Sequence, residues 1–318
     1  MRKGVDALST VPATAAVLAR PAPSGKAGQV HRLTLLVEAR FGVQPSGQVD
    51  RKLERIFDGA SEHELREWVD HMAGLPGTDS EWLGLVESLT VHETYFCRDR
   101  PMLRMLRGEV MPMLLEAKRR AGNYNFKIWS AGCSTGEETT NLVMLLLQAL
   151  EKIGEATTNA RGEIVPSPRW RLEVIGTDVS RQVISTAKTA HYADYGMGSF
   201  RDFSEKNLKQ FFEKVVDVTD PLPGVNYYRA QQFIRRWLDF RHHNLLSTAP
   251  PVTGCDIVIC RNVLIYFQDS VKRTVQELFA KALPVGGVLL LGGPDVQYWP
   301  ELYERRFGDG GAWYLKKV

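Results

Sequence analysis

Ile128-Trp129-Ser130-Ala131-Gly132-Cys133-Ser134-Thr135-Gly136-Glu137-Glu138 is the stretch on which the fold turns. An apolar run ends in small residues, and two acids open an amphipathic stretch at once, so a strand passes through a tight turn directly into a helix. Such a junction aims backbone N–H groups and a helix N-terminus at one crevice, where open α/β sheets bind ligands. Beyond Gly122, short apolar runs alternate with helical patterns. Strands are expected at Phe126 to Ser130, Glu173 to Thr177, Trp237 to Phe240, Asp256 to Cys260, Val288 to Gly292 and Ala312 to Lys317. Helices are expected at Gly136 to Lys152, Ser180 to Ala190 and Asp269 to Leu283. That alternation predicts a doubly wound parallel sheet.

Upstream the period is helical throughout, with Leu33, Leu36 and Val37, then Leu53, Ile56 and Phe57, then Leu65, Trp68, Val69 and Met72. A further helical stretch runs from Met102 to Leu115. The expected divisions are a disordered Ala/Pro/Ser/Gly-rich tail over 1–30, a helical domain over 31–121, and the sheet domain over 122–318. One connection, from about Ala190 to Trp237, is far longer than the usual αβ loop. It carries a helical segment with Leu208, Phe211, Phe212 and Val215 and the strand-like Val225 to Arg229, so it reads as an inserted subdomain.

The 318 residues, 44% hydrophobic and 24% charged, can bury a core without disulfide or metal staples. All of the +3 net charge falls in the first thirty residues, where Arg2, Lys3, Arg20 and Lys26 face only Asp6. The balanced remainder argues against a nucleic-acid binder. Cys97, Cys133, Cys255 and Cys260 show neither disulfide nor zinc spacing, which fits a reducing, cytoplasmic address. The longest apolar runs, such as Leu142 to Leu147, fall far below the roughly 20 residues that span a bilayer. His63-Glu64-Leu65-Arg66-Glu67 lacks the second His of a zincin helix, so no metal site is expected.

Two chemistries compete for the glycine turn. Gly132-Cys133-Ser134-Thr135-Gly136 fits the G-x-S-x-G elbow of a serine hydrolase with Ser134 as nucleophile, but no His follows late in the chain to complete a triad. The other reading uses the acids. Asp178 closes the second strand, where a carboxylate accepts ribose hydroxyls in nucleotide-binding sheets, although it is also placed to cap the next helix. With no GxxxxGK[ST] for phosphates, acids beside the turn suit a cationic adenosine cofactor, S-adenosylmethionine. Cys260-Arg261-Asn262 brings a polar pair to the same carboxyl edge, with Tyr266 close behind.

In combination these segments resemble the CheR family of chemotaxis-receptor methyltransferases, from about residue 31 to the end. A family pattern like N-E-T-x-F-F-R-D is matched by Glu93, Thr94, Phe96, Arg98 and Asp99, and WSAGCSTGEE by Trp129 to Glu138. An Asp after the second strand (Asp178), an N-L pair after the third (Asn244-Leu245) and CRNVLIYF after the fourth (Cys260 to Phe267) complete the order. His92, Cys97 and Thr139-Thr140-Asn141 depart from the family's Asn, Phe and Pro-Tyr-Ser.

The resemblance implies a Rossmann-like class I methyltransferase domain with a helical N-terminal domain and a small β-subdomain at about 192–235. It implies that S-adenosylmethionine is held by Thr94 and Arg98 from the helical domain and by Ala131, Gly132, Glu137, Asp178, Asn244, Leu245, Asn262 and Val263 from the sheet. S-adenosylhomocysteine would be the product. Arg98 and Tyr266 would serve the reaction, which esterifies glutamates on the cytoplasmic helical bundle of a chemoreceptor. A monomer outside the membrane is expected. The rival function is a cofactor-binding signalling or scaffold module that has changed or lost its methylation target.

Overall fold

The computed structural model describes residues 24–318 apart from 46, 78, 90–92, 217 and 219–221, so most of the expected tail and His92 lie outside the described residues. The chain divides into two compact units. One comprises Met1–Val91, Leu246–Thr248 and Val263–Val275, and the other His92–Leu245, Ala249–Asn262 and Gln276–Val318.

The first unit is helical, with α1 (Lys26–Phe41), α2 (Gly47–Ile56), α3 (Glu62–Gly74) and α4 (Ser80–Leu89). Helix α1 starts inside the stretch expected to be tail, because Gln29, Val30 and Leu33 are buried and Lys26 Nζ donates to the carbonyl of Asp58 at 2.7 Å. Leu33, Leu36, Leu53, Leu65, Val69, Met72 and Trp82 form the core, while Ile56 is left exposed. The Trp82 indole N–H is satisfied by the carbonyl of Met72 at 2.7 Å. Ser61 and Glu64 form a reciprocal capping box at the start of α3. On α2, Asp50 accepts from the Thr34 hydroxyl and Lys52 donates to the carbonyl of Leu89, which leaves Arg51, Glu54 and Arg55 exposed. The turn Leu264–Tyr266 also belongs here, with Gln44 N donating to the carbonyl of Tyr266 at 2.7 Å.

The second unit opens with α5 (Arg100–Met105), a π turn (Leu106–Val110) and α6 (Met111–Arg120). There follow β1 (Asn125–Ala131), α7 (Glu137–Lys152), a hairpin of β2 (Ala156–Thr158) and β3 (Ile164–Pro166), β4 (Arg171–Asp178) and α8 (Arg181–Thr189). The insertion holds β5 (His191–Asp194), α9 (Glu205–Phe211), β6 (Phe212–Val215), β7 (Asn226–Ala230) and α10 (Gln232–Arg235). Then come β8 (Leu238–His242), β9 (Ile257–Cys260), α11 (Asp269–Ala282), β10 (Val288–Leu291), β11 (Tyr303–Gly308) and β12 (Gly311–Lys316). Helix α11 begins in the first unit and ends in the second.

Seven strands form one sheet in the order β8-β4-β1-β9-β10-β12-β11, parallel except where β12 runs against β10 and β11. The chain lays down β1, β4 and β8 toward one edge and returns to place β9 on the other side of β1. The topological switch point is therefore at the carboxyl end of β1, and ligands of open α/β sheets bind at that point. The order and the reversed β12 are those of class I S-adenosylmethionine-dependent methyltransferases. Strands β9 and β10 are buried along their whole length, as the interior of a sheet covered on both faces requires.

The expected boundary at 121 is displaced to 91. Met102, Leu106, Val110, Met111 and Leu115 share a core with Phe126 and Ile128 of β1 and with the apolar residues of α7, so α5 and α6 pack on the sheet. A helix's apolar stripe shows that it has a partner but not which one. The insertion contains a three-stranded sheet, β5-β7-β6, in which Phe212 and Val215 lie on a strand rather than on the helix expected there.

Candidate active site

The turn after β1 is shaped by its backbone. Gly132 (φ 81°) and Gly136 (φ 94°) take left-handed conformations, and Gly132 N and Cys133 N both donate to the carbonyl of Thr177, at 2.8 and 2.9 Å. A Cβ on Gly136 would stand 2.9 Å from the Phe240 ring, so the turn lies directly against β8. Ala131, Gly132, Asp178, Asn244, Leu245 and Asn262 thus all occur at or just beyond the carboxyl ends of β1, β4, β8 and β9.

Asp178 fastens two segments. Its Oδ2 accepts from Ser134 N at 2.9 Å and its Oδ1 from Ser180 N at 3.0 Å. Ser180, not Asp178, is the cap of α8, with its hydroxyl accepting from Val183 N at 3.0 Å. An ionised carboxylate offers about four lone-pair sites, so two backbone donors leave acceptor capacity for ribose hydroxyls. That donor set, a glycine turn held open and an acid with lone pairs to spare, fits an adenosine cofactor.

Glu137 stands at the first position of α7 and is only 3% exposed. Its carboxylate oxygens accept from the hydroxyls of Thr135 and Ser199, each at 2.7 Å. Burial raises its pKa, and the two hydroxyl bonds pull against that shift. Glu137 therefore ties the insertion, through Ser199, to the glycine turn.

Thr94 and Arg98, expected on the helical domain, belong to the sheet unit. Phe96 anchors them there. It is fully buried among Tyr192, Phe200, Phe203 and Phe212, with ring centroids 4.8 to 5.3 Å away, and its N–H donates to the carbonyl of Ser199 at 2.8 Å. Thr94 and Arg98 are half-buried, and Arg98 Nη1 donates to the carbonyl of Glu93 at 2.6 Å. Val263 and Tyr266, by contrast, fall in the first unit.

Arg261 is the residue that sequence reasoning undervalued. It is 8% exposed, and its guanidinium donates to Glu138 Oε2 at 2.9 Å and to the carbonyl of Arg98 at 2.8 Å, with Asp99 Oδ2 at 3.6 Å. Glu138 accepts in turn from the Ser130 hydroxyl at 2.7 Å. One buried guanidinium thereby joins the end of β9, the start of α7 and the Arg98 segment. Cys97 (φ 63°), Asp99 (φ 65°), Ser134 (φ 50°) and Asn262 (φ 58°) are non-glycine residues in the left-handed region, and all four occur in segments assigned to the site. Strained backbone of this kind concentrates at functional sites.

Two of the departing residues meet: the Cys97 thiol lies 3.8 Å from Asn141 Oδ1, and Thr140 pairs with the Tyr192 hydroxyl at 2.9 Å. His243 is the last histidine of the chain and so the latest one open to the hydrolase reading. It stacks edge-on against Trp129 at 5.9 Å, and burial lowers its pKa to about 4.

The family model described as "CheR methyltransferase, SAM binding domain" matches residues 92–298. Chemotaxis protein methyltransferase 1 of Pseudomonas aeruginosa is 29% identical over 247 residues, which cover 78% of this chain and 81% of that protein. Chemotaxis protein methyltransferase 1 of Vibrio cholerae is 29% identical over 210 residues, 66% of each chain. An uncharacterized 104.1 kDa protein of Rhodobacter capsulatus is 30% identical over 267 residues, covering 84% of this chain and 25% of that protein.

Proposed function

The chain belongs to the CheR methyltransferase family, and from that premise we propose that it esterifies glutamate side chains on the cytoplasmic helical bundle of a chemoreceptor, with S-adenosylmethionine as methyl donor. The observation that carries this is the glycine turn and Asp178 at the switch point of a β8-β4-β1-β9-β10-β12-β11 sheet, together with the names of the chemotaxis relatives. No helix among the described residues is long and apolar enough to cross a membrane.

In this proposal Thr94, Arg98, Ala131, Gly132, Glu137, Asp178, Asn244, Leu245 and Asn262 hold the cofactor, Glu137 by bracing the turn from within. Val263 and Tyr266 are assigned on the sequence motif. When bound, S-adenosylmethionine supplies a methyl group made electrophilic by a sulfonium. The acceptor glutamate, with an ordinary pKa of about 4.3, is already ionised at neutral pH, so no side chain has to remove a proton. The protein's contribution is alignment in a site that excludes water. Arg98 holds a carboxylate by a charge-assisted bond, and one carboxylate oxygen must stay uncovered to attack. Tyr266 orients the acceptor through its hydroxyl.

Transfer of a labelled methyl group from S-adenosylmethionine to receptor-containing membranes, released again by base, tests the proposal. Tight binding of S-adenosylhomocysteine without any base-labile ester on receptors would overturn it in favour of a cofactor-binding signalling module.

A further inference from the structure

The loop that leaves β10 is held by one side chain of the sheet unit. Gln276 of α11 is fully buried, its Nε2 donates to the carbonyl of Val296 at 2.7 Å, and its Oε1 accepts from Tyr298 N at 2.9 Å. Both halves of the carboxamide are therefore spent on the main chain of one short segment, Val296-Gln297-Tyr298. Backbone that leaves a sheet must find its hydrogen bonds elsewhere, and here a helix side chain supplies them.

The start of the same loop closes on the end of β9. Gly292 N donates to the carbonyl of Cys260 at 3.2 Å and to Asp295 Oδ2 at 3.1 Å, while Asp295 N donates back to the carbonyl of Gly292 at 2.9 Å. A Cβ on Gly292 would stand 2.8 Å from Asp295 Oδ2, 3.3 Å from Asn262 N and 3.7 Å from the Cα of Arg261. The turn thus lies directly against the Arg261-Asn262 pair, and glycine is what lets the two backbones approach so closely. Asn262 itself is left-handed, with φ 58°. Asparagine adopts that conformation more readily than most residues, but it persists only where the surroundings hold it.

We propose that Gln276 and Asp295 are positioning residues of the cofactor site. Gln276 sets the loop, and Asp295 within that loop locks Gly292. Gly292, packed against Asn262, keeps the Asn262 backbone in the conformation that presents its side chain at the carboxyl edge of the sheet, where ligands bind. The path from Gln276 to Asn262 runs over hydrogen bonds to main-chain atoms, so it acts through geometry. The inference rests on the assignment of Asn262 to the cofactor made above and extends the site to two residues that no motif of the sequence singles out.

Titration calorimetry of the full chain with S-adenosylhomocysteine, beside thermal unfolding of the same samples, tests it. Asp295→Ala removes an acceptor from Gly292 N and is expected to weaken binding about tenfold. Asp295→Asn keeps an acceptor oxygen without the charge and should recover most of that loss. Asn262→Gly keeps access to the left-handed backbone and deletes the side chain. In that background Asp295→Ala should change affinity by less than about twofold, because residues that act through one another are not additive. Gln276→Met, close in length but unable to bond the loop, should reproduce Asp295→Ala in both backgrounds; if it fails to fold, the two Asp295 variants decide.

A full tenfold loss on top of Asn262→Gly overturns the inference, because Asp295 then acts elsewhere. An Asp295→Asn variant as weak as Asp295→Ala also overturns it, by assigning the effect to the charge. Unchanged affinity in Asn262→Gly alone removes Asn262 from the cofactor site, and the inference falls while the other assigned residues stand. If wild type binds no S-adenosylhomocysteine, the proposed function itself fails.

Discussion

Arg261 donates to Glu138 across 2.9 Å where both side chains are largely withdrawn from water, 5% and 16% exposed. The same guanidinium reaches the carbonyl of Arg98, so the pair couples the helix that follows the glycine turn to the segment that carries the candidate carboxylate grip. Removing one partner of a buried pair strands the other, which costs on the order of 3 kcal/mol.

Arg261→Met should therefore lower thermal stability by about 6 to 12 °C for a unit of this size and reduce turnover further by loosening Arg98. Arg261→Lys restores the charge but not the planar fork. It should recover stability more than turnover. Calorimetric unfolding and initial rates for both variants check this; equal recovery of the two quantities would limit Arg261 to a structural role.

Glu137 makes stability depend on pH. Burial raises its folded pKa above the unfolded value, so the native state keeps the proton to higher pH than the unfolded chain. The contribution is complete below the ordinary carboxylate range and is lost as pH rises through the folded value, at up to about 1.4 kcal/mol per pH unit. Glu137→Gln keeps partners for both the Thr135 and Ser199 hydroxyls and cannot ionise. Urea denaturation across mildly acidic pH should show a falling stability in wild type and a flatter profile in the variant. Parallel profiles would mean that Glu137 does not titrate there.

The glycine turn and its strand were legible because the change of period, the glycines and the acids all occur within eleven residues. Strand β11 was missed because Tyr-Glu-Arg-Arg-Phe-Gly, at the sheet edge, buries only Tyr303 and lacks a buried strand's apolar run. The domain boundary failed for a different reason: Met102 to Leu115 read as amphipathic, and an amphipathic stripe does not say that its partner is β1 and α7. The links that organise the site were the least visible. Glu137 to Ser199, Glu138 to Arg261 and Arg98 to Arg261 are separated by 62, 123 and 163 residues, and no local pattern encodes such pairs.

Gly136 can be tested as a steric hinge of the turn. Its φ of 94° and the 2.9 Å approach of Phe240 to a built Cβ both oppose a side chain. Gly136→Ala should destabilise by on the order of 3 kcal/mol and weaken S-adenosylhomocysteine, because the strain is relieved by moving the turn off β8. A variant as stable as wild type would show that the turn can absorb a methyl group.

Asp178→Asn replaces an acceptor-only group by one with a single acceptor oxygen. Ser134 N and Ser180 N each now donate to a carboxylate oxygen, and an amide nitrogen opposes one of them. With charge-assisted bonds contributing about 1.5 to 3 kcal/mol, S-adenosylhomocysteine should bind about 10 to 100 times more weakly. Titration calorimetry measures it directly. Unchanged affinity with lowered stability would confine Asp178 to holding the turn.

Arg98 is the sharpest test of the chemistry. Its bond to the Glu93 carbonyl uses one of five N–H donors, and that bond positions the guanidinium without neutralising it. Arg98→Ala should cut turnover on receptor fragments by about 100-fold, as removal of a charge-stabilising donor does elsewhere, while S-adenosylhomocysteine affinity falls by less than about tenfold. Lysine at this position keeps the charge and should retain part of the turnover. If Arg98→Ala instead loses cofactor affinity and turnover in equal measure, Arg98 grips the cofactor's own carboxylate, and the acceptor glutamate is held elsewhere.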